Sequence, residues 1–171
     1  VSTVVAGITS SDAESDTLGI AVTAIAGNGS WQFSHDSSNG TDGSWTAFDG
    51  TTPADATALL LDENAWVRYT PDGENSETAT FTFRSWDQTT GTASSGTTAR
   101  YADTTTNGTT TAYSTTTASG SQAVTAVNDA PVVDLDGSAG GITYSSSFSA
   151  GGSAVTIADS DGTVSDVDSG D

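Results

Sequence analysis

The chain has no cysteine, no methionine and no lysine; three arginines, Arg68, Arg84 and Arg100, stand against 22 acidic residues. Without cysteine there are no disulfides, no Cys-ligated zinc and no thiol nucleophile, and cysteine usage leaves the redox compartment open. Without lysine there are no Lys–Asn isopeptide staples. A single histidine, His35, excludes a metal centre built on several imidazoles. No apolar run approaches the roughly 20 residues that span a bilayer, and no signal-peptide pattern is present. The formal charge of −19 repels nucleic acid and anionic membrane, so neither is expected as a partner. At that charge density a compact state needs screening by salt or cations, and a divalent metal supplies the most screening per ion.

What is there reads as β structure. The length of 171 residues fits one domain of about 130 residues plus part of another. The chain opens on Val1 rather than Met, which reads as a mature product, a fragment or one unit of something longer. Short alternating apolar runs are separated by Gly/Asn/Asp/Ser clusters, the pattern of an antiparallel sandwich or barrel. Leu18–Ile25 alternates as a strand and ends at Asn28-Gly29, a hairpin signal. Trp31, Phe33 and His35 share a face of the next strand, and Trp45 and Ala47 mark a third. Ala54–Leu61 predicts a helical turn leading into a strand. Ala65–Thr70 and Thr78–Trp86 follow, with Val67 and Tyr69 opposite Trp66 and Arg68, and Phe81 and Phe83 opposite Thr80, Thr82 and Arg84. Gln122–Val127 closes the module.

From Thr89 to Ser121 the chain is nearly all Thr, Ser, Gly and Ala. Two readings stand side by side: an exposed long hairpin anchored by Tyr101 and Tyr113, and a flexible or O-glycosylated loop. Sequons at Asn28, Asn39 and Asn107 fall in expected turns. Beyond Pro131, Val132–Leu135, Thr143–Phe148 and Val155–Ile157 read as three short strands, and Asp159–Asp171 is acidic without a base. Ser165-Asp-Val-Asp-Ser-Gly-Asp171 echoes Ser11-Asp-Ala-Glu-Ser-Asp16, about 154 residues apart, as in a tandem array. The expected organisation is a sandwich module over 1–131, followed by 132–171 as opening strands of a next repeat or as strands completing this or a neighbouring module.

The junction itself, Ala126-Val-Asn-Asp-Ala-Pro131, joins carbonyl and carboxylate oxygens to a strand-stopping proline and reads as a cation-binding boundary. It resembles the end of the cadherin-like tandem repeats of giant bacterial surface and biofilm proteins. Gly29-Ser-Trp-Gln-Phe-Ser34, Ala58-Leu-Leu-Leu61, Val67-Arg-Tyr-Thr-Pro71 and Phe83-Arg-Ser-Trp-Asp-Gln-Thr-Thr-Gly91 also resemble blocks of those repeats. The resemblance implies an all-β, Greek-key β-sandwich of the cadherin-like or immunoglobulin-like kind, repetition, an extracellular location at the cell surface, and Ca2+ at module boundaries. Carried over, the implied ligands are Asn128 and Asp129, then Asp166 and Asp168 with Asp12, Glu14 and Asp16 as their counterparts, and Asp87. Ala126 and Ala130 stand where cadherins place oxygen donors, so fewer or weaker ions are expected.

The donor chemistry agrees, since Ca2+ takes six to eight hard oxygens. Asp-x-Asp spacing puts two carboxylates on one side of an extended segment, and it recurs at Asp134/Asp136, Asp159/Asp161, Asp166/Asp168 and the Asp12/Glu14/Asp16 ladder. The opposing view is that these acids merely solubilise turns. Trp31, Trp45, Trp66 and Trp86 are expected in the core, with a surface platform for stacking surface glycans as the sharper alternative. Arg68 and Arg84 are expected to pair with nearby carboxylates. Nothing distinguishes two acids as catalytic, and no glycine-rich phosphate loop is present, so no enzyme is expected. The reading is a structural or adhesive repeat, stiffened by Ca2+ and partnered by neighbouring repeats or identical subunits. The alternatives are a filament subunit assembled by strand exchange and a carbohydrate-binding module.

Overall fold

The computed structural model describes residues 17–36, 42–48, 50–74, 76–137 and 140–168. The chain divides into two compact units, Val1–Thr125 and Ala126–Asp171, so the junction motif travels with the second unit.

The first unit is an antiparallel all-β sandwich. One sheet has the order β7-β4-β1-β6-β8, formed by β1 (Gly19–Ala26), β4 (Ala58–Leu61), β6 (Glu77–Trp86), β7 (Tyr101–Ala102) and β8 (Tyr113–Val124). The facing sheet has the order β3-β2-β5, from β2 (Ser30–Ser34), β3 (Thr46–Ala47) and β5 (Trp66–Thr70). β4 returns to lie beside β1 while β2 and β3 pair in the other sheet, which is a Greek-key connection. The expected alternation sets the core: Ile20, Val22, Trp31, Phe33, Leu59, Leu61, Val67, Tyr69, Phe81 and Phe83 are buried in one cluster between the sheets. Phe81 stacks on Phe83 with ring centroids 5.3 Å apart, and Trp31 tilts against both Tyr69 and Phe81. With no methionine to fill gaps, aromatic rings take up that volume.

Asn28-Gly29 is not a hairpin. β1 and β2 belong to different sheets, so the turn is a corner. Its backbone donors are captured by side chains: the Asn28 N–H donates to Glu77 Oε2 at 2.7 Å and the Gly29 N–H to the Tyr69 hydroxyl at 2.5 Å. The Tyr69 hydroxyl donates in turn to Glu77 Oε1. Burial, then that bond to a carboxylate, raises the Tyr69 pKa. Gly27 has φ 126°, and a Cβ there would lie 2.6 Å from the Tyr69 hydroxyl, so the corner needs glycine for both conformation and space. The turn before β4 is as expected: a 3-10 turn at Asp55–Thr57 runs directly into the strand.

The threonine-rich segment forms neither a hairpin nor an unpacked loop. β7 and β8 lie on opposite edges of the five-stranded sheet, so the chain between β6 and β8 reaches the far edge and returns. It covers the outer face with a second apolar cluster of Ala21, Ala58, Leu60, Trp86, Ala112 and Tyr113, flanked by Ala93 and Ala102. β4 is therefore buried on both faces, which explains the unbroken Ala-Leu-Leu-Leu run. Ser94 and Thr104 are fully buried and hydrogen-bonded: Ser94 Oγ accepts from the Arg100 N–H, and Thr104 Oγ1 donates to the Asp55 carbonyl. Arg84 fastens the start of β8. Its Nε and Nη2 lie 3.1 and 3.0 Å from Asp55 Oδ1, and its Nη1 donates to the Ser114 and Thr115 carbonyls at a bulge between Arg84 and Trp86. Small hydroxyl residues suit such a covering layer, because each satisfies backbone groups that a crossing loop would otherwise bury unpaired.

The second unit is a ribbon. β9 (Val132–Asp134) pairs with β10 (Thr163–Ser165), antiparallel, with Val133 opposite Val164. The strand expected over Val132–Leu135 is there, that at Thr163–Ser165 was not foreseen, and Thr143–Phe148 and Val155–Ile157 form no ladder. These two extended runs meet through side chains only: the Tyr144 hydroxyl lies 2.9 Å from Thr156 Oγ1, and Ser146 Oγ donates to the Thr156 carbonyl. No helix among the described residues is long and apolar enough to cross a membrane.

Candidate functional site

Pairing β9 with β10 puts the residues just before β9 beside those just after β10, which brings the junction motif to the acidic repeat end. The Asp129 N–H donates to Asp168 Oδ2 at 2.9 Å, and the Asp168 N–H reaches back to Asp166 Oδ1 at 3.3 Å. The Asp166 carboxyl is pushed up, first by its hydrogen bond to the Asp168 carboxyl, and further by the negative charges of Asp168 and Asp129. Asp168 is held down by that same bond and by the Asp129 N–H. Crowding two carboxyls at one site favours a proton on Asp166 and the charged form of Asp168. A cation replacing that proton relieves the same repulsion.

At the other end of the ribbon the remaining Asp-x-Asp pairs come together. Asp134 Oδ1 accepts from the Asp136 and Gly137 N–H groups at 2.9 and 3.1 Å. Gly137 has φ 55°, and a Cβ there would meet Asp161 Oδ1 at 2.1 Å. The Asp159 N–H donates to the Leu135 carbonyl, at 2.9 Å. Spacing along the chain identified both pairs; only the antiparallel ribbon makes them neighbours.

The other expected ligands stand apart from this arrangement. Asn128 is exposed and its Nδ2 donates to the Asp129 carbonyl at 2.7 Å, a local bond that turns its amide to the backbone of the next residue. Asp87, in the first unit, uses Oδ1 to cap a turn through the Thr89 N–H and Oγ1 at 2.8 and 2.7 Å. It borders a cleft of about 300 Å³ with Gly108, Ala112, Tyr113 and Thr115. Asp12, Glu14 and Asp16 lie outside the described residues. Among the described residues no three Asp, Glu, His or Cys side chains converge as a ready-formed metal cage.

The tryptophans divide. Trp31 and Trp86 are buried, with the Trp31 indole N–H donating to the Ala26 carbonyl and that of Trp86 to the Thr90 carbonyl. Trp45 and Trp66 are only half-buried, contrary to the expectation of four core rings. Among the described residues Arg68 pairs with no carboxylate: its Nε donates to Gln32 Oε1 at 2.7 Å, and its guanidinium sits 4.3 Å over the Trp45 ring. Planar stacking on an indole satisfies a cation where no acid lies alongside.

A scan of family models, a search of curated proteins and a search of solved structures each gave no match to the chain.

Proposed function

We propose that the chain is a structural or adhesive repeat of an extracellular surface protein, whose acidic module ends are drawn together and stiffened by Ca2+. The observation that supports this is the contact of Asp129, through its N–H, with the Asp166/Asp168 pair, whose Asp168 lies 39 residues further along the chain and which is like it in charge. Like charges repel, so a fold that gathers them without a base nearby offers its free energy to a cation. The donor set fits a weak site: two carboxylates and the Asp129 region supply part of the six to eight oxygens that Ca2+ takes, leaving the balance to water and main-chain carbonyls. Bound there, the ion would supply charge neutralisation and a fixed hinge, turning a chain of modules into a rod.

Hydrogen exchange across 126–168, with Ca2+, Mg2+ or EDTA at fixed ionic strength, tests this. Protection that rises with Ca2+, not with Mg2+, and disappears in D166N/D168N is the expected result. Identical exchange under all three conditions would refute the cation role. The sugar-platform alternative has less behind it, since two of the four indoles are in the core and Arg68 covers a third.

A further inference from the structure

Among the described residues, two extended segments have a main-chain edge that joins no ladder, and each has what the other needs. β8 is an edge strand, paired among the described residues with β6 alone. Its first carbonyls are taken by Arg84, but Thr117–Val124 runs alongside β6 for eight residues with no strand on its other edge among the described residues. Natural edges of that length are ordinarily blunted by charge, proline or a bulge. Thr117-Ala-Ser-Gly-Ser-Gln-Ala-Val124 carries neither charge nor proline. Residues opposite one another in an antiparallel pair share a face, so Ala118 and Gly120, opposite Phe83 and Phe81, face the core side and leave room beside those rings.

The second unit contains the complementary deficit. All the exposed large hydrophobic residues of the described chain lie there, among them Ile142 at 63%, Phe148 at 62% and Ile157 at 87%. Ile142–Phe148 alternates as a strand, with Ile142, Tyr144, Ser146 and Phe148 on one side and three small polar residues on the other, yet it belongs to no ladder. No charged residue occurs from Gly137 to Ala158, so this run approaches an acidic body without bringing acid of its own.

We propose that Ile142–Phe148 of a second copy of this chain adds as a strand to the open Thr117–Val124 edge. Main-chain hydrogen bonds continue the five-stranded sheet by one strand, and the bulky side of the added strand fills the space beside Ala118 and Gly120. The donor and acceptor are different surfaces, so the contact is head-to-tail and propagates into open chains of subunits rather than closing as a dimer. This rests on the repeat reading above but needs no cation.

The test is mass against protein concentration by analytical ultracentrifugation, in EDTA, for the wild type and for I142D/F148D. Both substituted side chains are exposed in the monomer, so its fold and melting temperature are retained. Growth of the wild-type mass with concentration, and its loss in the variant, is the expected result. Because the chain has no cysteine, S121C/S145C adds a direct readout: oxidation should give a ladder of intermolecular disulfides. A wild type monomeric throughout, oxidation giving only an intramolecular bond, or assembly untouched by I142D/F148D would each overturn the proposal. Assembly that requires Ca2+ and ignores the substitutions would also overturn it while leaving the cation-bridged junction standing.

Discussion

The two units are made from the same kinds of residue and reach opposite outcomes. In the first, among the described residues, no large hydrophobic side chain is exposed; in the second, ten are, from Val127 to Val167. The difference is not one of hydrophobic content alone. A strand buries its apolar face only against a second layer, and the first unit has two sheets plus a covering loop, whereas the second has one pair of three-residue strands. Ile157 and Leu60 are both aliphatic, but Ile157 is 87% exposed and Leu60 is 0% exposed between a sheet and the loop that crosses it. Apolar residues set a requirement for a layer; they do not provide it.

That comparison is broken most strongly by truncation in the core. Phe81→Ala removes a fully buried ring stacked on Phe83 and is expected to cost about 3–5 kcal/mol in urea unfolding, while Phe148→Ala in the second unit should change stability by less than about 0.5 kcal/mol. Equal effects would mean that the second unit has a layer over it. Next is Arg84→Ala, which strands the Asp55 carboxylate and the Ser114 and Thr115 carbonyls. With Asp55 half-exposed and therefore screened, the expected loss is about 2–3 kcal/mol, with hydrogen-exchange protection falling over 103–116 before the sandwich core. Uniform loss of protection would show that the covering loop and the sheets unfold as one.

Smaller again is the corner between β1 and β2. Tyr69→Phe removes the acceptor of the Gly29 N–H and a donor to Glu77, for an expected loss of about 1–2 kcal/mol in the same assay. Tyr69 also gives a pH signature: its pKa is raised on folding by burial and by Glu77, so its contribution is complete below the ordinary tyrosine pKa and is lost as pH climbs through the raised one. Melting temperature should therefore fall in alkali, and less steeply in the Phe variant. The smallest expected effect is at the ribbon. Asp166 is raised, first by its hydrogen bond to Asp168, so its contribution is present in acid and fades as pH rises through the raised value. If Ca2+ binds at this pair as proposed, it competes with that proton, so calorimetric titration should show weaker binding as pH drops into the carboxylate range, and a binding isotherm independent of pH would separate the ion from this pair.

Much of the sandwich was legible in sequence because strand alternation is a local property with a period of two. The inward sets Trp31/Phe33, Val67/Tyr69 and Phe81/Phe83 follow directly from it. The Asn28-Gly29 corner misleads because a dipeptide records which backbone angles are available, and not whether the next strand joins the same sheet; Glu77 and Tyr69, distant in sequence, take the hydrogen bonds a hairpin would have used. The threonine-rich stretch misleads for a related reason. Its composition matches an unpacked loop, while its burial is set by the uncovered outer face of β1, β4 and β6, on which it lies. Of the junction, the sequence identified Asp129 and the Asp166/Asp168 pair as candidates, and the β9–β10 pairing brought them together.

The sequence by itself determined the class of fold, the strands with strong alternation, the exclusion of cysteine and lysine chemistry, and the acidic character of the module ends. These follow from residue types and short spacings, which act through near neighbours. Only the tertiary structure decided which strands share a sheet, that a polar loop seals a second apolar layer, that Arg68 stacks on Trp45 while Arg84 clamps Asp55, and that the second unit keeps its hydrophobic residues in water. Each of those depends on contacts between residues tens of positions apart, where the loss of chain entropy on closing the loop is balanced only when a whole layer forms at once.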